Sequence, residues 1–360
     1  GRVAPLATGI SPAPAASRTI NVFLTTWSTL VLPSTHVIPS KLISLLIAAK
    51  RMANASSKPV STSRIKGTRI IHKSSHTIAI VKRPVIAVVG SAMMDLTAYV
   101  EKIPGPGETL IGKQFTTGFG GKGANQAVMA AIAGAEVYFI GKIGNDVFGD
   151  QFLENFKARG INTKYLERID EPSGVAHIWV DGSGENRIII IPGANHKIDS
   201  AVAAKAIAEI PNLDIVIGQC EIKQEVTLAA FKAAKVRGAI TILNPAPFEA
   251  LAPELINLCD WIIPNETEFA ELGNLNANVL LTEGEKGVRH LSTGLHVPAI
   301  KVKAIDTTGA GDSFVGAFAA KLNEGEEVAM KFGCIAAGIS VTRKGAQSSY
   351  PTYEEIATFS

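Results

Sequence analysis

The sequence predicts an α/β protein built on a doubly wound, mostly parallel sheet flanked by helices, with a small β-sheet lid. Three observations carry this. From about residue 84, short apolar, β-branched runs alternate with helical stretches. Polar residues gather just after several of those runs, where an open α/β sheet binds its ligand. One stretch, 174–193, breaks the alternation and reads as two strands around the turn D-G-S-G-E-N.

The elements follow in order. V-I-A-V-V-G (85–90) has the character of a buried parallel strand ending in Gly. The runs V-Y-F-I-G, L-D-I-V-I-G-Q, A-I-T-I-L-N-P, W-I-I-P-N and V-L-L-T-E-G repeat it, starting at 137, 213, 239, 261 and 279, and K-V-K-A-I (301–305) is strand-like too. Helical patterns span 123–133, 148–159, 200–209, 225–236, 312–322 and 326–341. The string 96–119 is extended, with turns at P-G-P-G, and with 174–191 it makes the expected lid. Together these define one domain over 84–360.

Composition limits the function. The chain has 360 residues, 46% of them hydrophobic, and a net charge of +3. Residues 1–94 hold no Asp or Glu but twelve Lys and Arg, so the remainder carries 23 basic against 32 acidic residues, a balance of −9. An acidic body gives no footprint for nucleic acid. The acid-free, Ser-, Thr- and Ala-rich residues 1–83 have transit-peptide composition and are expected to be a disordered extension. A nucleic-acid-binding arm has similar charge. Met52 would suit the start of a shorter leader, and the Ser/Ala-rich stretch after it points to a plastid, with the mitochondrion as alternative. The apolar run near residues 42–49 is too short to span a bilayer, so no membrane partner is expected. Cys220, Cys259 and Cys334 lack ligand spacing and are expected to be reduced thiols.

Five groups of polar residues stand at expected strand ends: Asp95, Glu221, Asn265 with Glu268, Thr282 with Gly284, and Asp312. Asp312 follows Gly309-Ala310-Gly311 at a helix start, and locally it can be a helix cap or an acid-base residue beside a phosphate site. The second glycine cluster, F-G-G-K-G-A-N-Q-A (119–127), is not a Walker A loop, because Gly123 follows Lys122. Its glycines permit close backbone approach, and Lys122 and Asn125 offer hydrogen bonds suited to hydroxyl groups.

The strings G-G-K-G-A-N-Q-A and D-T-T-G-A-G-D-S-F-V-G-A-F resemble the two signatures of the ribokinase-like (PfkB) carbohydrate kinases, and the similarity covers roughly 84–357. G-S-A-M-M-D, P-G-P-G-E-T, L-N-P-A-P, P-N-E-T-E and V-T-R-K-G-A-Q extend it. The resemblance implies ATP-dependent phosphorylation of a sugar, D-ribose at O5 by the closest strings. Asp312 would be the general base, with the N–H groups of Gly309, Ala310 and Gly311 as the anion hole. Asp95, Gly121, Lys122, Asn125 and Glu221 match the sugar-binding positions. Asn265, Thr282, Gly284 and Gly311 match the nucleotide side, and Glu268 would hold Mg²⁺ through water. Asp306 and Thr308, with carbonyls of Ser340, Arg343 and Gly345, match a K⁺ site. The lid would pair two subunits into a homodimer.

Two departures stand out. Met93 occupies a position where some members carry an Asn that touches the sugar. Only residues 266–278 join W-I-I-P-N to V-L-L-T, where members have a longer connection, so the sheet would be exposed near the nucleotide side. Alternatives within the family are a fructose or nucleoside kinase; outside catalysis, a plastid PfkB-like structural protein.

Overall fold

A computed structural model describes residues 82–359 except 274 and 276, together with the backbone of three short strands between 63 and 82. Those strands, β1 (Ser63–Ile65), β2 (Thr68–His72) and β3 (Ile78–Lys82), form an antiparallel meander in a unit separate from residues 83–360. The remainder of the extension, and the disorder and leader expected there, lie outside the described residues.

The second unit alternates as expected. β4 (Val85–Val89) leads into β5 (Met93–Tyr99), β6 (Gln114–Gly120), α1 (Lys122–Ile132), β7 (Glu136–Gly144), α2 (Val147–Ala158) and β8 (Asn162–Ile169). β9 (Gly174–Val180) and β10 (Asn186–Ile191) follow, then α3 (Ser200–Glu209), β11 (Ile215–Gly218), α4 (Gln224–Val236), β12 (Ile240–Leu243) and α5 (Pro253–Asn257). The chain continues through β13 (Trp261–Ile262), α6 (Glu266–Leu272), β14 (Asn278–Thr282), β15 (Val288–His290) and β16 (His296–Val297). It ends with α7 (Ala310–Lys321), α8 (Glu326–Ser340) and α9 (Tyr353–Phe359).

Among the described residues, nine strands form the main sheet in the order β16-β15-β14-β13-β12-β11-β4-β7-β8. It is parallel from β8 to β14 and antiparallel at the β15 and β16 edge. Strands buried on both faces need apolar residues at consecutive positions, and β4 shows why. Ile86 and Val88 join a core with α1, α7 and α8, while Val85, Ala87 and Val89 join one with α3 and α4. Among the described residues, no helix is long and apolar enough to cross a membrane.

β10-β9-β5-β6 form the small sheet. Asp95, Ala176 and Ile190 lie in one cross-strand row, so Ile188 and Ile190 share the face of Asp95. β10 is the sheet's edge, and Ile188, Ile189, Ile190 and Ile191 are all exposed. Where the lid leaves the main sheet, the Asn195 amide accepts from Ala92 N–H at 2.9 Å and donates to the Ala92 carbonyl at 3.0 Å.

Three expectations are corrected. K-V-K-A-I (301–305) is exposed and forms no ladder; Ile305 and Asp306 instead donate their N–H groups to the Val341 carbonyl at 2.7 and 3.2 Å. Asp95 does not terminate a main-sheet strand but sits within lid strand β5. The short connection after β13 is bridged by α6, and the sheet there stays covered. Ile262, Val279 and Leu280 are buried, and Leu272, Leu275 and Ala277 pack against the core on the α3 and α4 side. Other elements went unread: β8 has a mixed polar surface, and β15, β16, α5 and α9 are too short to show a period.

Candidate active site

The site forms at the carboxyl ends of the main-sheet strands, where α1 and α7 begin. These helices approach closely because Gly316 faces α1: a Cβ there would lie 2.4 Å from the Gln126 carbonyl oxygen. Their contact brings Asp312, in the first turn of α7, beside Asn125 and Gln126 in the first turn of α1. Asp312 is not the helix cap; Gly309 holds that position in the left-handed conformation, φ 74°. A side chain at Gly309 would also press on Ala346 and on Tyr350, whose hydroxyl donates to the Gly309 carbonyl at 3.2 Å.

The Asp312 carboxylate is buried and held from both sides. Asn125 Nδ2 donates to Oδ2 at 3.0 Å and Gln126 Nε2 to Oδ1 at 2.9 Å. Behind Asn125, Gln347 Nε2 donates to Asn125 Oδ1 at 3.1 Å, and Asn155 Nδ2 to Gln347 Oε1 at 2.9 Å. Behind Gln126, Gln219 Nε2 donates to Gln126 Oε1 at 2.7 Å. Gln126 Nε2 also reaches Asn244 Oδ1 at 3.1 Å, and Asn244 donates to the Ile263 carbonyl at 2.8 Å. Sequence reading missed Gln126, Gln219, Asn244, Gln347 and Asn155. The available signal was that Gln126 and Gln347 end the strings G-G-K-G-A-N-Q and V-T-R-K-G-A-Q.

A cleft of about 190 Å³ opens beside Asp312. Its walls bring together Lys122, Asn265, Glu268, Thr282, Gly309, Gly311 and Asp312 from the expected set, and add Asn244, Ala246, Ile263, Thr307 and Val315. Space beside the Gly311 Cα is open, with no atom within 4 Å of where a Cβ would stand. Among the described residues the backbone N–H groups of Gly309, Gly311 and Asp312 meet no protein acceptor, whereas that of Ala310 donates to the Thr307 carbonyl at 3.2 Å. A helix start with open donors is an anion site in waiting.

The remaining residues expected on a sugar side lie behind Lys122. Glu221 Oε2 accepts from Ser91 Oγ at 2.5 Å and from Lys122 N–H at 2.8 Å. Gly121 is the residue before α1 and runs against the Met93 backbone. Asp95, half-buried, has its carboxyl pushed up to about 7 by burial, then by the charges of Glu221 and Asp312. Burial also raises Glu221, against the opposing pull of Lys122. Burial works against the Lys122 ammonium, but Asp312, Glu221 and Glu268 together hold it above its ordinary range. Lys122 is thus a cation shared by three carboxylates from different elements, and of these Asp312 and Glu268 line the cleft with it.

Of the residues expected on a nucleotide side, Asn265 and Glu268 form a capping box at α6. Asn265 Oδ1 accepts from Glu268 N–H, and Glu268 Oε2 from Asn265 N–H, both at 2.8 Å. The second Glu268 oxygen has no protein partner among the described residues, which fits a hard cation held through water. Thr282 ends β14 with its hydroxyl on the Pro264 carbonyl at 3.1 Å, and Gly284 follows in an open turn.

The expected K⁺ residues form a separate cluster behind the helix start. Asp306 Oδ1 accepts from Thr308 N–H at 2.9 Å and Thr308 Oγ1 at 2.6 Å, and Oδ2 from Gly345 N–H at 2.8 Å. Burial opposes the Asp306 charge, but these donors outweigh it and hold the carboxyl below its usual range. Ser340 accepts from Arg343 N–H at 3.1 Å, while the Arg343 side chain turns to Glu355. Among the described residues, no group of three or more His, Cys, Asp or Glu is arranged to hold a metal.

Comparison with known proteins agrees with this geometry. Residues 84–353 match the pfkB family carbohydrate kinase description. The chain is 41% identical to the ribokinase of Bacillus subtilis, across 75% of this chain and 97% of that protein. It is 38% identical to the deoxyribokinase of Salmonella typhi, across 75% and 96%. The structure of Arabidopsis thaliana ribokinase complexed with ribose and ATP is similar at a TM-score of 0.70 and 31% identity, covering 77% of this chain and 98% of that one.

Proposed function

The chain belongs to the pfkB family of carbohydrate kinases and is a ribokinase-type sugar kinase, and on that premise we propose that it transfers the γ-phosphoryl group of ATP to O5 of D-ribose. The observation that carries this reading is Asp312. An acceptor-only carboxylate, gripped on both oxygens, stands beside open N–H donors at the start of α7 and faces a cleft shared with Asn265, Glu268 and Thr282.

Asp312 takes the proton of the attacking hydroxyl. The N–H groups of Gly309 and Gly311 face the charge that builds on the transferring phosphoryl, and the positive end of α7 adds to them. Ala310 joins them only by releasing the Thr307 carbonyl. Asp95, Gly121, Lys122, Asn125 and Glu221 hold the sugar; Asn125 has one amide N–H left for a hydroxyl after its bonds to Asp312 and Gln347. Asn265, Thr282 and Gly284 hold the nucleotide. Mg²⁺ would lie at Glu268 and neutralise phosphate charge; K⁺ would lie among Asp306, Thr308 and the carbonyls of Ser340, Arg343 and Gly345, acting electrostatically. The exposed isoleucines of β10 support a homodimer paired through the lid.

A second reading, 2-deoxyribose as substrate, is favoured by the buried apolar Met93 at the sugar end and the similarity to a deoxyribokinase. Turnover of ATP with Mg²⁺ and K⁺ is to be measured on D-ribose, 2-deoxyribose, fructose and adenosine, with the highest kcat/KM expected on ribose. A preference for fructose or adenosine would overturn the sugar assignment. Asp312→Asn is expected to lower kcat about 10²–10⁴-fold and to lower Tm modestly, because its amide sets one donor against the donor of Asn125 or Gln126. Gly311→Ala fills space that the fold leaves open, so it should fold normally yet lose about 10²-fold in kcat.

A further inference from the structure

The two amide chains that end on Asp312 have a common polarity. Asn155 donates to Gln347, Gln347 to Asn125, and Asn125 to Asp312 Oδ2. From the other side Gln219 donates to Gln126, and Gln126 to Asp312 Oδ1. Every amide therefore presents its donor end toward the carboxylate, an arrangement that only an acceptor on both oxygens completes. The chains start on different elements, α2 and the segment after β11, and Gln126, Gln219 and Gln347 are buried. Neither Gln126 nor Gln347 lines the cleft, so neither is placed to touch sugar or nucleotide.

We propose that Gln126 and Gln347 are positioning residues of the phosphoryl transfer: through their amide chains they fix the orientation of the Asp312 carboxylate and keep both its oxygens as acceptors. The proposal rests on the reading of Asp312 as base. Gln126 acts directly on Oδ1, and Gln347 acts through Asn125 on Oδ2. A carboxylate free to rotate would spend much of its time with the wrong lone pair toward the hydroxyl, and misorientation of a reacting group lowers the rate without changing what the site binds.

The test uses the full chain with Gln126→Met and Gln347→Met, which keep approximate side-chain volume and remove the amide. kcat is expected to fall about ten- to hundredfold in Gln126→Met and about three- to tenfold in Gln347→Met. KM for ribose and for ATP should change by less than about threefold. Added to Asp312→Asn, either substitution should alter the remaining rate by less than about twofold, because its partner's function is already gone. A loss seen in KM instead of kcat, full multiplication of the two losses, or normal kcat in both Gln variants would overturn the positioning role. If Gln126→Met fails to fold, having stranded Gln219 and Asn244, the same cycle on Gln347→Met decides. Near-normal kcat in Asp312→Asn alone would instead reject the base assignment, and the two failures are thereby distinguished.

Discussion

Burial beside Glu221 and Asp312 raises the Asp95 carboxyl to about 7, so if Asp95 holds the sugar as proposed, sugar binding should depend on pH in the neutral range. Ribose hydroxyls donate to an ionised carboxylate, so binding favours the charged form and releases a proton. Ribose affinity should therefore be about tenfold weaker at pH 6 than at pH 8, and titration calorimetry in buffers of different ionisation heat should register the released proton. A dissociation constant flat across that range would remove Asp95 from the sugar site. The sign for stability is opposite. The folded protein holds the Asp95 proton up to a higher pH than the unfolded chain does. Its contribution to stability is full below the ordinary carboxylate range and is lost as pH rises through 7. At this scale the charged residues were legible and the amides were not. Asp95, Lys122, Glu221, Glu268 and Asp312 stand in strings whose chemistry is visible in one dimension. Gln126, Gln219, Asn244 and Gln347 carry no charge and meet from four distant segments.

Elements buried on both faces were the most readable, because β4 and β11 must be apolar or Gly at every position and β12 departs from this only at the buried Thr241. K-V-K-A-I imitates a strand by its branched residues, yet the N–H of its last residue, Ile305, goes to Val341 in the turn after α8, which no local pattern reveals. The start of α7 shows the same limit. Sequence places Asp312 at a junction, but only the left-handed Gly309 moves the cap back and frees the Asp312 side chain for α1. β10 poses a separate question, since an edge strand with four exposed isoleucines invites another chain. Ile189→Lys should convert a wild-type dimer to monomer in sedimentation velocity while leaving the far-UV spectrum unchanged. A wild-type protein that sediments as a monomer would dismiss the lid interface.

For the whole molecule, both apolar cores among the described residues draw on residues from 85 onward, and the family match begins at 84. Deleting residues 1–82 should therefore leave kcat and Tm unchanged, and a reporter fused behind residues 1–94 should enter plastids. Loss of activity on deletion, or mitochondrial fluorescence, would contradict the respective half of that prediction. The division between the two sheets has a further effect. Asp95 rides on the small sheet, whereas Asp312 is anchored to a helix on the large one. Each side carries negative charge that repels the other, and a guest rich in hydroxyls reconciles them. Any guest that donates hydroxyls to both carboxylates would thereby tie the small sheet to the large one.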